Sequence, residues 1–254
     1  SFGTIAELQA DLTRYRDARR LSYTQMKLTL AKPDIAVATL SLSEGAAMPM
    51  FMRSYRASNG KAAVDAVVVE ARKLAARFPS EPMALDALAE FELDAEQLDA
   101  AQRANTAVLA ARPADGRALM RNARIAEARI KAPGTDAEWK AVRNLIVKAN
   151  RAAPNDPFPL YAYYRWHAQS GTPTPAVAVD GLRRAIQLAP QVPDLRFMLA
   201  TKYIADGNKS AARSIMVPLL NDPHSAEMRQ AARALLEGAK SIKPVETPTT
   251  QTKD

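Results

Sequence analysis

Cysteine is absent from the 254 residues and histidine occurs only twice, as His167 and His224. Disulfides and thiolate metal sites are therefore excluded. Metal-dependent catalysis generally needs several converging His or carboxylate ligands, and no such grouping is present along the chain. His224 follows Pro223 in a turn and reads as solvated, while His167, inside YAYYRWHAQ, reads as a packed helical side chain rather than a ligand. G-x-S-x-G, a P-loop and G-x-G-x-x-G are missing too, so the nucleophile and phosphate-cradle signatures are absent and neither enzyme chemistry nor a cofactor is expected. Although 48% of residues are apolar, no uncharged apolar run approaches the ~20 residues that span a bilayer. The chain opens at Ser1 without Met or a signal peptide, the pattern expected of a processed or trimmed product.

Charge of one sign does dominate, at a net +8. A basic patch would point to nucleic acid or an anionic surface. Here the arginines are interspersed with Asp and Glu, one or two per helix, which suits soluble helix faces and disfavours nucleic acid as a partner. Glu90, Glu92, Asp94 and Glu96 form an acidic cluster whose even spacing spreads it round a helix end, as in a solvated turn.

What is present is a cadence. In the stretch Pro193–Pro223, Leu195, Leu199 and Tyr203 mark one helix face, Gly207 marks the stop, and Ala212, Ile215, Met216 and Leu219 mark a second helix. Neither helix can bury its face alone. The plan recurs upstream, with prolines closing Ala- and Arg-rich runs at Pro79, Pro113, Pro154, Pro190 and Pro223, at intervals of 34, 41, 36 and 33 residues. A helix–turn–helix unit at a period near 34 is a solenoid signature.

Leu199-Ala200, Tyr203, Gly207, Ala212 and Pro223 resemble the pattern of the tetratricopeptide repeat (TPR) family, as do Ala178, Leu182, Ala185 and Pro190 one repeat earlier, and Ile146, Ala149 and Pro154 before that. The second interval, which ends at Pro154, carries an insertion around APGTD. The resemblance covers roughly Ser43 to Gly238. It implies a mainly α chain, a right-handed α-α superhelix of helix hairpins. SAEMRQAARALLEGAK would then be a lone capping helix.

The ends differ. Residues 4–18 read as an amphipathic helix with a Thr4–Glu7 capping box and a Leu8, Leu12, Tyr15 stripe. Residues 22–42 alternate with period two in YTQMKLTL and, more weakly, in DIAVATLSLS, as a β-hairpin turning at AKPD. The expected organisation is thus 1–42 as the edge of another domain, 43–238 as repeats, and 239–254 as a disordered Thr-, Pro- and Lys-rich tail. The opening SFGTIAELQADLTRY is similar to the helix closing the gluzincin-like peptidase module that precedes TPR repeats in some bacterial proteins. That resemblance implies a non-catalytic, substrate-positioning segment as the alternative function. Together with the lack of cysteine, it leans toward the periplasm over the cytoplasm.

The TPR resemblance implies a concave groove lined by the first helix of each pair, holding a protein or peptide partner. It places Arg117, Met120 and Arg124 there from the third pair, Phe158, Tyr161 and Arg165 from the fourth, and Phe197 and Thr201 from the fifth. Met83, Asp86 and Glu90 would come from the second. Arginines mixed with aromatics suit a peptide carrying carboxylates. At least two of Tyr161, Tyr163, Tyr164 and Trp166 are expected to pack between repeats instead.

Overall fold

The computed structural model describes residues 4–18, 35–56 and 60–238. The chain divides into two compact units, Ser1–Thr39 and Leu40–Asp254. In the first unit, α1 (Ile5–Asp17) begins at the expected capping box. The Thr4 backbone N–H donates to Glu7 Oε2 at 2.6 Å, and the Glu7 N–H donates to Thr4 Oγ1 at 3.3 Å. None of its apolar stripe is buried.

The hairpin expected over 22–42 needs correction. Its first arm lies outside the described residues, and 35–41 contains no strand. The reason is local. Ser41 N–H donates to Glu44 Oε2 at 2.7 Å and Glu44 N–H donates to Ser41 Oγ at 3.2 Å, a reciprocal cap that starts a helix where the alternation suggested a strand. Ile35 and Val37 accordingly stand exposed rather than packed on one face. The tail from residue 239 lies outside the described residues.

In the second unit the helices are α2 (Leu42–Arg56), α3 (Gly60–Arg77), α4 (Pro82–Asp94), α5 (Leu98–Ala111), α6 (Gly116–Ala128) and α7 (Asp136–Ala152). They are followed by α8 (Pro157–Gln169), α9 (Ala176–Leu188), α10 (Pro193–Ala205), α11 (Lys209–Leu220) and α12 (Ala226–Leu236). No helix of the described residues is long and apolar enough to cross a membrane. Each even-numbered helix from α2 to α10 packs on its successor, and α12 closes against α11 and α10. Pro82, Pro157 and Pro193 occupy the first turns of α4, α8 and α10, where the missing N–H has no intrahelical partner to lose. Pro49, in contrast, lies in the body of α2 rather than its first turn.

Small residues set the spacing. Ala84, Ala87, Ala123, Ala149, Ala178, Ala185, Ala200 and Ala212 have essentially no exposed surface, so helix backbones approach closely and the larger side chains interlock beside them. Leu199 is wholly buried between α8, α9 and α10, whereas Tyr203 is only partly covered and accepts a hydrogen bond on its hydroxyl from Arg183 Nε at 2.7 Å. Gly207 ends α10 as its position suggests, at φ +76, with Asn208 N–H reaching back to the Tyr203 carbonyl at 2.8 Å.

Candidate partner-binding trough

Two adjoining clefts run along the first helices of the pairs. One, of about 460 Å³, is walled by Phe51 on α2, Glu90 on α4, Arg117 and Met120 on α6 and Phe158 on α8. The other, of about 660 Å³, lies between the C-terminal ends of α4 and α6, the α6–α7 connection and α8, and includes Trp139 and Arg165. Asp94 and Arg124 line both, which makes them consecutive stretches of one trough.

Of the side chains expected to face a groove, Arg117, Met120, Arg124, Phe158 and Arg165 do line this trough. Phe158 is 48% exposed, a large aromatic left open to solvent. Tyr161 sits behind it, its ring 5.9 Å from that of Phe158 and 5.6 Å from the Arg165 guanidinium. Met120 is almost fully buried and contributes floor rather than wall. Phe197 and Thr201 line neither cleft. Phe197 packs against the α10–α12 core, and Thr201 Oγ1 bonds the Phe197 carbonyl at 2.9 Å. Met83 packs into the core of α2, α3 and α4.

Asp86 is also withdrawn from the trough, and the reason lies in Arg121, which sequence reasoning passed over. Arg121 is 1% exposed. Its Nη2 donates to Asp86 Oδ1 at 2.9 Å, Nε to Glu90 Oε2 at 2.8 Å and Nη1 to Asn105 Oδ1 at 2.8 Å. Burial works against its charge, but Glu90 and Asp86 outweigh it, and its pKa ends above the ordinary arginine value. Burial likewise pushes the Glu90 carboxyl up, yet Arg121 and Arg124 together bring it below the usual carboxylate range.

The acidic cluster is consequently not a solvated turn. Glu92 is 3% exposed and takes two bonds from Arg72 of α3, at 2.6 and 2.7 Å. Glu90 holds both Arg121 and Arg124, and Asp94 accepts from Arg124 Nη2 at 3.2 Å. Asp94 is shifted the other way, upward, by burial first and then by neighbouring Glu90. Only Glu96 has no ion pair among the described residues. One repeat further on, Arg165 Nη2 donates to both oxygens of Glu127, at 2.7 and 2.8 Å, and Gln169 Nε2 adds a third hydrogen bond at 2.8 Å. Apart from Arg72–Glu92, the signal for these pairs was the repeat period itself: an acid on one first helix and an arginine about a repeat later on the next.

The aromatic run of α8 divides as expected, with Tyr164 and Trp166 buried between repeats. His167 is packed edge-on to Tyr163 and Trp166 and bonds Thr172 Oγ1 through Nδ1 at 3.0 Å, and its pKa is lowered, chiefly by burial.

Among solved structures, a thermophilic TPR protein of Thermus thermophilus matches with a TM-score of 0.60 at 17% identity, over 77% of this chain and 99% of that one. The fold is a TPR-like solenoid. The structure of Pseudomonas aeruginosa PilF matches with a TM-score of 0.57 at 14% identity, over 76% of this chain and 82% of that one. No protein-family model and no curated protein sequence matches. In this TPR-like frame α2, α4, α6, α8 and α10 are the first helices of five successive pairs, and the trough follows the first four.

Proposed function

We propose that the chain is a non-catalytic protein-interaction scaffold whose trough along α2, α4, α6 and α8 receives an extended or helical segment of a partner protein. The observation that carries this reading is that Phe158 and Arg117 line the same cleft of the trough. Phe158 offers a rigid exposed aromatic face, and Arg117 has no ion pair among the described residues, its guanidinium lying 5.6 Å from the centre of the Phe51 ring. Rigid aromatics and arginines are the side chains that most often concentrate binding energy at protein interfaces. The surrounding wall is preorganised, because buried and partly buried ion pairs fix the first helices against one another and little ordering entropy remains to be lost on binding.

Selection of displayed random peptides on the full chain tests this. Bound peptides should lose affinity by roughly tenfold or more when Phe158→Ala or Arg117→Ala is introduced, as expected for hot spots worth about 1.4 kcal/mol or more. An exposed control on the second helix of a pair, Arg184→Ala, should leave binding unchanged. Peptides insensitive to both trough substitutions would place the binding surface elsewhere.

A further inference from the structure

The inserted α6–α7 connection, residues 129–135, builds one wall of the larger cleft. Gly134 has φ +75, and a Cβ there would lie 2.4 Å from Ile130 Cγ2 and 2.9 Å from Trp139 Nε1. Trp139 Nε1 in turn donates to the Pro133 carbonyl at 2.9 Å. The loop is thereby braced around the indole, and Ile130, Pro133 and Trp139 give the cleft an apolar side.

Its charges are unevenly committed. The two guanidiniums in this cleft are both paired: Arg124 with Glu90 and Asp94, and Arg165 with the two oxygens of Glu127. Three carboxylates face them, and of these Glu96 has no ion pair among the described residues while Asp94 shares Arg124 with Glu90. A chain of net charge +8 thus presents, beside Trp139, a cleft with three acids and two bases. An incoming carboxylate would have to displace Glu90 or Glu127 from its arginine and strand a partly buried acid. An ammonium or guanidinium would displace nothing and would supply a cation to Glu96, which has no ion pair among the described residues, and a second one to Asp94, which shares Arg124 with Glu90.

We propose that this cleft selects a basic partner segment, a peptide that seats an apolar side chain against Ile130 and Trp139 and turns a neighbouring Lys or Arg toward Asp94 and Glu96. It rests on the reading of the trough as a peptide-binding surface and reverses the acidic preference that the arginine content suggests.

The test uses two fluorescent peptide pools with the same randomised apolar positions, one carrying Lys and the other Glu at the charged positions, titrated against the full chain. The Lys pool should bind about tenfold tighter or better. Glu96→Lys, at an exposed position without an ion pair, should erase or invert that preference without loss of fold. A preference for the Glu pool, or equal binding of both, with either lost in Arg117→Ala, would overturn the basic selectivity while leaving the trough as a binding surface. Binding indifferent to Arg117→Ala, Phe158→Ala and Glu96→Lys alike would remove the trough reading and this inference with it.

Discussion

Arg121 Nη2 lies 2.9 Å from Asp86 Oδ1 with both side chains sealed from water, at 1% and 5% exposure. The pair joins the second helix hairpin to the third, and removing one partner strands the other. Arg121→Ala should therefore cost about 3–5 kcal/mol in urea unfolding, because Asp86 and Glu90 lose their shared cation in a dry site. Arg124→Ala, at a more exposed position, should cost only ~1 kcal/mol. Equal losses for the two would mean that the buried and rim arginines share the load.

Acid should find this junction first. Glu90 has a folded pKa below its ordinary value, so its contribution is fully present above the unfolded pKa and is lost as pH falls through the folded one. Asp94 works oppositely: its folded pKa is raised, so the folded state holds that proton more tightly, and stability declines slightly as pH rises across the interval between its ordinary and raised values. Thermal melts from about pH 3 to pH 7 should show Glu90→Gln less stable near neutrality but with a flatter acid limb than the parent. Parallel acid limbs would contradict the assignment.

Glu96 occupies the left-handed position after α4, at φ 59, where α10 uses Gly207. Its N–H bonds the Leu93 carbonyl at 2.9 Å, and Gln97 N–H reaches the Glu92 carbonyl at 2.8 Å, the same closing geometry. A side chain there is strained by ~1 kcal/mol. Glu96→Gly should raise stability by up to ~1 kcal/mol in chemical denaturation and, with the carboxylate gone, weaken the Lys-containing peptides.

Close packing gives two sterically opposite tests. Leu199→Ala empties a fully enclosed site and should cost ~2–5 kcal/mol, more than Tyr203→Ala, whose ring is partly exposed. Gly116→Ala adds a Cβ 2.6 Å from that of Ala153, which is tied directly to backbone, so the α6 start or the α7 end must shift at ~1–3 kcal/mol. Denaturation midpoints of the three variants decide both.

The helices were legible because their signals are local and repeated. Prolines at Pro82, Pro157 and Pro193, the Thr4 cap and Gly207 each mark a boundary by chemistry that acts within one turn. Of the residues the TPR resemblance implied for a groove, Arg117, Met120, Arg124, Phe158 and Arg165 line the two clefts, whereas Tyr161, Phe197 and Thr201 do not. What it could not give was the state of those charges. Arg121 and Glu92 look like surface residues in composition, and only the juxtaposition of α3, α4 and α6 buries them as pairs. At residues 35–41, period-two alternation competed with the Ser41–Glu44 cap, and the short-range hydrogen bonds prevailed.

The acid–arginine links between α4 and α6, and again between α6 and α8, act as cross-ties between successive hairpins. Among the described residues no such tie joins α8 to α10, where the contact is apolar. Charged cross-ties are therefore unevenly distributed along the stack: they link three successive hairpins, whereas the joint between the α8–α9 and α10–α11 hairpins rests on apolar packing and, among the described residues, the single Arg183–Tyr203 bond.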